Sequence, residues 1–309
     1  MILLTGATGF LGSRLLSRLL GLGHRVVCLK RKQSDCSWVE KMPRGYSRWY
    51  DCDRVSMEEI FAENEIDIVI HCATNYGRGK RGFIDAYEAN VSFPMNIVKY
   101  AELYGCKYFI NTGSFFEKII KGLWETNEEL YMDAYVKSKF IFRNIIKDQI
   151  QDLQLSFINL QLEHTYGDGD RETKFVNFLV DSLSQNVPNL ELSEGKQNRD
   201  WIYFEDVISA YEVILQNISQ FGQGKYYSFE VGTGQRTSLR EFVITAKDLV
   251  GSDTNLLFGK AKMHKNELMD SCADNEPLRK LGWQPVYHVE DGLKKMIDAA
   301  ILSERILEK

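Results

Sequence analysis

The sequence predicts an α/β protein, in which a doubly wound parallel sheet is followed by a smaller, discontinuous C-terminal lobe. The chain has 309 residues, enough for one large domain or two lobes with a sizeable core. In the first hundred residues, short apolar runs alternate with longer amphipathic segments, as in a parallel sheet covered by helices. After Gly167 this alternation weakens, which predicts a second lobe.

Each element follows from a local pattern. Buried strands are predicted at residues 1–4, 25–29, 66–70, 108–111 and 155–160, where apolar residues run together, and a further strand should end at Asp51. Helices are predicted at residues 11–22, 56–63, 83–104 and 134–150, where apolar residues recur at helical spacing. The tail, residues 289–309, has the same amphipathic pattern and is also predicted to be helical.

Composition and charge exclude several classes of protein. Hydrophobic residues make up 44% and charged residues 26%, which argues against a disordered chain or a coiled coil. The net charge is -5 with scattered Lys and Arg, so we expect no nucleic-acid partner. No apolar stretch approaches the roughly 18 residues of a membrane span, so we expect a cytoplasmic protein without membrane contact. The six cysteines and five histidines show no ligand spacing, which predicts reduced thiols and no metal.

A glycine-rich loop, Thr-Gly-Ala-Thr-Gly-Phe-Leu-Gly at residues 5–12, joins the first predicted strand to the first helix. Gly6 permits a tight turn, Gly9 lets the backbone approach a pyrophosphate, and Gly12 lets the helix pack close to the strand. A plain turn is the alternative, but the position between these two elements favours a Rossmann-type dinucleotide site. The expected cofactor contacts in the loop are Gly6, Thr8, Gly9, Phe10, Leu11 and Gly12.

The end of the second strand indicates which dinucleotide is bound. An NAD site places an acidic residue there to hold the ribose 2′-hydroxyl, whereas this chain has Lys30, Arg31 and Lys32. A guanidinium can hold a 2′-phosphate through charge-assisted hydrogen bonds, so NADP is the expected cofactor. The alternative is that three exposed cations merely aid solubility. Asp51 could reach the adenine edge or could serve only as a turn residue.

A tyrosine and a lysine four residues apart, Tyr135 and Lys139, share one face of a predicted helix. With 15 tyrosines and 38 lysines and arginines in the chain, about two such pairs are expected by chance, and Tyr76 with Lys80 is another. The second pair lies in a glycine-rich loop, where no helical face aligns it. Ser114 ends the fifth strand and presents a hydroxyl at the sheet edge where parallel sheets bind ligands. The helical pair is therefore the better candidate.

Together these motifs resemble the extended short-chain dehydrogenase/reductase family that acts on nucleotide sugars. The resemblance covers essentially the whole chain, because it continues in the segments at residues 199–207, 231–234, 273–274 and 281–283. It implies that Ser114, Tyr135 and Lys139 are catalytic, with the pKa of the Tyr135 phenol lowered by the Lys139 ammonium. It also implies that Arg199 binds a nucleotide-sugar diphosphate. Further cofactor contacts are expected from Asp51, Cys52, Ala73, Thr74, Asn90, Tyr135 and Lys139.

Departures from the family pattern narrow the expected chemistry. The 4,6-dehydratases carry Asp-Glu directly after the active-site hydroxyl residue, whereas this chain has Phe115 and Phe116, which cannot transfer a proton. The 4-epimerases hold NAD tightly and usually have an acidic residue where this chain is basic. Glu163 and His164 replace an apolar or aromatic residue followed by Asn, and they could contact substrate or form a structural pair. The chain further resembles the bacterial 4-ketoreductases of dideoxysugar biosynthesis at this pair, at residues 76–78 and at residues 266–274.

The sequence therefore predicts NADPH-dependent reduction of the C4 keto group of a nucleotide-linked 4-keto-6-deoxy or 3,6-dideoxy hexose, with CDP or dTDP as the nucleotide. We expect an NADP-binding domain formed by residues 1–165, to which residues 200–222 return. The substrate lobe is expected to consist of residues 166–199 and 223–309. A homodimer is expected from helices 83–104 and 134–150. The alternatives are an epimerase and an NADP-sensing regulator. The expected substrate contacts are Tyr76, Arg78, Ser114, Phe115, Glu163, His164, Arg199 and Asn266.

Overall fold

The computed structural model describes residues 1–37, 39, 42, 45–78, 81–118, 133–170, 174–263 and 267–307. The chain divides into two compact units. The first consists of Met1–Gln161 and Ile214–Phe229, and the second of Leu162–Val213 and Glu230–Lys309. The division into a cofactor domain and a substrate lobe stays a prediction, because compactness alone assigns no ligand to either unit.

The first part of the chain alternates strands and helices as predicted. Its elements are β1 (Ile2–Thr5), α1 (Phe10–Gly21), β2 (Val26–Lys30), β3 (Ser47–Asp51), α2 (Met57–Glu63), β4 (Ile68–His71), α3 (Gly82–Tyr87), α4 (Phe93–Leu103), β5 (Tyr108–Ser114), α5 (Ala134–Gln149) and β6 (Ser156–Leu162). Each predicted strand is found with its ends shifted by a few residues at most, as are the predicted helices at 11–22, 56–63 and 134–150, and β3 ends at Asp51 as expected.

A seven-stranded sheet forms the centre of the first unit, in the order β11-β6-β5-β4-β1-β2-β3 with β11 at Tyr226–Val231. The pairings of β3 with β2, β2 with β1, β1 with β4 and β4 with β5 are all parallel. The sheet reverses its winding between β1 and β4, and such switch points are where doubly wound sheets bind ligands. The predicted Rossmann-type fold is therefore confirmed.

The core of this unit explains why its central strands are largely apolar. Leu3, Val27, Val69, Phe109 and Phe157 come from five different strands and are buried in one cluster. Helical residues Ile60, Ile97, Phe142 and Ile146 complete that cluster. A parallel sheet with helices on its faces has no solvent-facing side, so its strands read as continuous apolar runs.

One predicted helix differs from expectation. The segment at 83–104 is divided into α3 and α4 by a wide π-helical turn at Glu88–Ser92. Pro94 stands at the start of α4 and has no backbone N–H to continue a regular helix, and the side chain of Asn90 in the wide turn bonds to other elements. Apolar periodicity continues through the turn, so the sequence pattern alone does not show it.

The rest of the chain has shorter elements, as the weaker alternation predicts. They are β7 (His164–Tyr166), α6 (Phe175–Ser184), β8 (Asn189–Leu192), β9 (Asn198–Arg199), β10 (Trp201–Tyr203), α7 (Phe204–Gln216), β11, β12 (Thr237–Ser238), α8 (Leu239–Val250), β13 (Asn255–Phe258), α9 (Glu276–Lys280) and α10 (Val289–Leu307). Three two-stranded sheets and a second apolar core hold the second unit together. Within the described ranges, no helix has the length and apolarity to cross a membrane.

Candidate active site

The glycine-rich loop forms a tight turn between β1 and α1. Gly6 has a φ of +67°, and a Cβ there would lie 2.6 Å from the backbone nitrogen of Ala73, just after β4. A Cβ at Gly12 would overlap the carbonyl oxygen of Gly6, so only glycine lets α1 approach this turn. The turn and packing roles predicted for Gly6 and Gly12 are thus confirmed.

The start of α1 has the features of an anion site. Gly9 is its N-cap, no side chain caps the helix, and its first turn contains no acidic residue. The positive end of the helix dipole is therefore not neutralised by a carboxylate within that turn. Gly9 is exposed, and Thr8, Phe10 and Leu11 are partly exposed around it. This arrangement fits a dinucleotide pyrophosphate, although contact with one stays a prediction.

The basic segment lies at the carboxyl end of β2. Lys30 is the last strand residue and pairs in register with Asp51, while Arg31 and Lys32 are exposed. Asp51 accepts a bond from the backbone N–H of Asp53 at 3.1 Å and therefore acts at least as a turn residue. Cys52 donates its backbone N–H to Lys30 O at 2.9 Å, which holds the two strand ends together.

Asn90 connects three parts of the first unit. Its carbonyl oxygen accepts bonds from Thr74 Oγ1 and Asn75 N, and its amide group donates to Asn75 O and to Ser138 Oγ, all at 2.8–3.1 Å. Ser138 Oγ in turn donates to Tyr135 O. Asn90 therefore ties the loop after β4, which includes Ala73 and Thr74, to α5. The cofactor contact expected of Asn90 stays a prediction.

The three expected catalytic residues come together within the first unit. Ser114 ends β5, and its side chain hydrogen-bonds the phenol of Tyr135 on the first turn of α5. Lys139 lies one turn further along α5 and is buried, and its ammonium donates to Thr112 O at 2.9 Å. Asp133 caps the helix by accepting from Val136 N at 2.9 Å, which fixes where α5 begins.

The acidity of Tyr135 differs from expectation. Burial and the neighbouring Tyr76 raise the pKa of the Tyr135 phenol, although its hydrogen bond to Ser114 acts in the opposite direction. The predicted lowering by Lys139 is wrong, because the pKa of the phenol is raised and the ammonium is bonded to Thr112 O. Burial lowers the pKa of Lys139 itself to about 8. The phenol is consequently protonated at neutral pH, the state that a proton donor needs.

Tyr76, the alternative candidate for the catalytic tyrosine, lies close to Tyr135. Its ring lies 4.8 Å from that of Tyr135, and the guanidinium of Arg78 lies 5.7 Å from the Tyr76 ring. Tyr76 belongs to a loop rather than a helix, and its proposed partner Lys80 lies outside the described residues. Phe115 is buried and its ring lies 4.1 Å from Phe116. Both phenylalanines follow Ser114 directly, so the positions next to its hydroxyl are apolar.

Sequence reasoning missed one residue of this region, Glu117. Its side chain is only 1% exposed, and its carboxylate accepts bonds from Ser114 N at 2.9 Å and Asn159 Nδ2 at 2.8 Å. A carboxyl three residues after the expected hydroxyl residue, in an otherwise apolar run, was the available signal. Its partners come from β5 and β6, so the contacts themselves require the fold.

In the second unit, Arg199 is already paired. Its guanidinium contacts the Glu267 carboxylate at 2.6 Å and is almost buried. The adjacent Asp200 is fully buried and accepts bonds from Thr233 N, Thr233 Oγ1, Gly234 N and Ala273 N. The motif segments at 199–207, 231–234 and 273–274 thus meet around one carboxylate. An anion that binds Arg199 would compete with Glu267.

Glu163 and Ser271 form a buried polar contact in the same unit, and the half-buried His164 lies beside them. Glu163 Oε2 accepts from Ser271 Oγ at 2.6 Å and lies 3.7 Å from His164 Nδ1. Burial lowers the pKa of His164, so the imidazole is neutral at neutral pH and the contact is not an ion pair. Asn266, the remaining expected substrate contact, lies outside the described residues.

No set of three His, Cys, Asp or Glu side chains gathers as a metal site in the part of the chain that the structure describes. The six cysteines are free thiols. Burial raises the pKa of Cys28, and that of Cys106 to about 12, so these two thiols are unreactive.

Two sequence comparisons bear on these motifs. The family model described as NAD dependent epimerase/dehydratase family matches residues 2–232. A CDP-abequose synthase of Salmonella typhimurium is 31% identical over 300 residues, covering 96% of this chain and 97% of that protein. A dTDP-4-dehydro-6-deoxyglucose reductase of Escherichia coli is 22% identical, and 96% of each chain is covered.

Solved structures support the fold. A UDP-glucose 4-epimerase of Thermotoga maritima with UDP-glucose has a TM-score of 0.81 at 20% identity, covering 98% of this chain and 99% of that one. A UDP-glucose 4-epimerase of Stenotrophomonas maltophila with bound NAD has a TM-score of 0.82 at 19% identity, with 99% of each chain covered. The chain therefore belongs to the NAD dependent epimerase/dehydratase family of extended short-chain dehydrogenase/reductases, as its motifs predict, and is a nicotinamide-dependent oxidoreductase.

Proposed function

We propose that this protein reduces the C4 keto group of a nucleotide-linked 4-keto-6-deoxy or 3,6-dideoxy hexose and consumes NADPH. One observation carries the proposal: Tyr135 and Lys139 lie one turn apart on α5 with the Tyr135 phenol beside Ser114, while the two residues after Ser114 are phenylalanines. The site thus has a proton donor for a carbonyl oxygen and apolar groups where the dehydratases have acids. Similarity to the CDP-abequose synthase and the dTDP-4-dehydro-6-deoxyglucose reductase supports reduction of a nucleotide sugar.

The residues present fit a nicotinamide dinucleotide. The glycine loop leaves no room for a Cβ at Gly6 or Gly12, and the start of α1 has no acidic residue in its first turn. When bound, the cofactor supplies the hydride. Gly9 and its neighbours would hold the pyrophosphate. Arg31, with Lys30 and Lys32, would hold a 2′-phosphate, which is why we propose NADPH rather than NADH.

Tyr135 would deliver the proton. As hydride reaches C4, negative charge develops on the carbonyl oxygen, and the protonated phenol donates to that atom. The hydroxyl of Ser114 would hydrogen-bond the same oxygen and stabilise its charge. Lys139 would hold the nicotinamide ribose hydroxyls through its ammonium. Tyr76, Arg78 and Phe115 would contact the sugar.

We propose that the second unit recognises the nucleotide sugar. Arg199 would exchange its partner Glu267 for the substrate diphosphate, because a phosphate offers a guanidinium two acceptor oxygens in matching geometry. Glu163 and His164, with Asn266, would contact the substrate and distinguish CDP- or dTDP-linked sugars from others. A cytoplasmic location and a homodimer through α3, α4 and α5 stay predictions.

An assay of NADPH oxidation against CDP-, dTDP-, UDP- and GDP-linked 4-keto-6-deoxy sugars tests the proposal. We expect turnover with a CDP- or dTDP-linked substrate and little with the other two. An NADP-sensing regulator would bind the cofactor and turn over none of the four, and it would have no need of Ser114, Tyr135 and Lys139 together. An epimerase would interconvert stereoisomers without net oxidation of NADPH. Either of these results would contradict the proposal.

A further inference from the structure

The end of β5 is held by two opposite charges. The ammonium of Lys139 donates to the carbonyl oxygen of Thr112 at 2.9 Å, and the carboxylate of Glu117 accepts from the backbone N–H of Ser114 at 2.9 Å. Only Gly113 separates these two attachment points. The positive and the negative side chain are therefore bonded to neighbouring peptide groups of one strand end.

The hydrogen bonds of Glu117 favour its ionised form, although burial raises the pKa of this carboxyl. Its partners are Ser114 N, Asn159 Nδ2, Gln161 Nε2 at 3.4 Å and Arg143 Nε at 4.0 Å, and all of them are donors. The amide of Asn159 is oriented by its other bond, because its Oδ1 accepts from Asn111 Nδ2 at 2.7 Å. A protonated carboxyl would give up part of this set of donors, so the hydrogen bonds favour the charged form.

Gly113 gives independent evidence that this contact is built into the fold. A Cβ at Gly113 would lie 2.7 Å from Glu117 Oε1 and 2.7 Å from Asn159 Oδ1. The carboxylate thus packs directly against the backbone between Thr112 and Ser114. Nothing larger than glycine fits while Glu117 and Asn159 keep their places.

We propose that Glu117 is a positioning residue, whose buried negative charge keeps Lys139 protonated and whose hydrogen bond to Ser114 N fixes the serine at the end of β5. The inference rests on the proposed function only in that Lys139 holds the nicotinamide ribose. Glu117 itself is engaged by backbone and amide groups and takes no part in proton transfer to the sugar.

The charges around Lys139 support this role of Glu117. Burial lowers the pKa of Lys139, whereas Glu117 and then Cys72 raise it, and the resulting value is about 8. Removing the charge of Glu117 therefore favours the neutral amine at physiological pH. The other titratable or charged groups near the pair are Tyr135 and Arg143 on α5, His71 and Cys72 at the end of β4, and Tyr226 on β11.

The experiment compares Glu117→Gln with Glu117→Asp in the full chain without any sugar. We measure the dissociation constant of NADPH from about pH 6 to about pH 10, the range that spans the Lys139 ionisation. If the parent protein binds NADH more tightly than NADPH, NADH is titrated as well. In the parent, binding should weaken as pH rises, with a midpoint near 8. Glu117→Gln should lower that midpoint by about one unit, which makes binding about tenfold weaker above both midpoints. Glu117→Asp keeps the charge and should keep the midpoint.

A Lys139→Arg background provides the control, because arginine does not titrate in this range. There the midpoint should disappear and Glu117→Gln should cause no pH-dependent loss. An unchanged midpoint in folded Glu117→Gln, a lowered midpoint in Glu117→Asp, or a parent without a midpoint would overturn the inference. If Glu117→Gln does not fold, Glu117→Ala, which removes the same charge, takes its place and should lower the midpoint in the same way. Failure of the reductase assignment leaves this readout intact, since no sugar is present.

Discussion

The chemistry proposed here depends on the protonation states of two neighbouring side chains. Tyr135 keeps its proton because it is buried beside Tyr76, and the pKa of Lys139 is lowered because its ammonium is buried. A reductase needs this combination, since the phenol must give a proton and the ammonium must stay charged while the sugar carbonyl is reduced. Two substitutions test these assignments at the level of single residues.

Tyr135→Phe removes the proton donor and keeps the ring that packs against Tyr76. We expect kcat to fall by about 10² to 10⁴, the usual contribution of one positioned acid, while cofactor binding persists. Steady-state kinetics and fluorescence titration measure the two effects. Tyr76→Phe is the matched control, because the centroids of the two rings lie 4.8 Å apart and both variants lose only a hydroxyl. An inactive Tyr76→Phe with an active Tyr135→Phe would assign the chemistry to the loop tyrosine.

Arg31→Asp tests the cofactor assignment. The substitution puts a carboxylate where the 2′-phosphate of NADPH is expected, so NADPH should be weakened much more than NADH. Loss of one charge-assisted contact is worth about 1.5–3 kcal/mol, or a factor of roughly 10 to 150 in affinity. Isothermal titration with both cofactors measures the ratio. Equal weakening of both, or a parent that already prefers NADH, would show that the basic strand end does not select the cofactor.

At the scale of elements, parallel strand ends and one helix start create the site. β1 leads into α1 through the glycine turn, and β5 leads to Ser114, so both features lie at the carboxyl edge of the same sheet. The close approach of α1 to β1 depends on Gly12, where a side chain would collide with the backbone of Gly6. We therefore expect packing at this point to affect both stability and cofactor binding.

Gly12→Ala tests that coupling. The added methyl must push α1 away from the turn, so we expect a loss of about 1–3 kcal/mol in the free energy of unfolding, typical of overpacking, together with weaker cofactor binding. Chemical denaturation and titration measure these quantities. Gly21→Ala in the same helix is the control, since a Cβ there meets nothing within 4 Å. It should be neutral or slightly stabilising. Equal behaviour of the two variants would mean that the contact at Gly12 is unimportant.

The apolar periodicity of the sequence predicts the strands and helices well, but it predicts the contacts between them poorly. Apolar runs and helical stripes indicate the sheet strands and the main helices because both patterns are local. The wide turn at Glu88–Ser92 and the four bonds of Asn90 depend on residues from other elements, so no local pattern contains them. The same reason explains why Glu117 was overlooked: its partners Asn159 and Gln161 are more than 40 residues away in sequence.

For the whole molecule, fold and function are separate questions. The fold is shared with UDP-glucose 4-epimerases at about 20% identity, whereas the CDP-abequose synthase is similar at 31% identity. One fold supports both epimerisation and reduction, so only residues of the site can distinguish the two reactions. The basic end of β2 and the apolar pair after Ser114 favour reduction.

The fate of the transferred hydrogen tests this central claim most directly. With NADPH deuterated at C4 of the nicotinamide on the transferred face, a reductase should place one deuterium at sugar C4 and release one NADP per sugar. In heavy water, no deuterium should enter C3 or C5, because Phe115 and Phe116 carry no base and Glu117 is engaged by Ser114 N and Asn159. Mass spectrometry and NMR of the product measure both labels. Turnover without net NADP and without deuterium at C4 would contradict the reductase assignment and identify an epimerase.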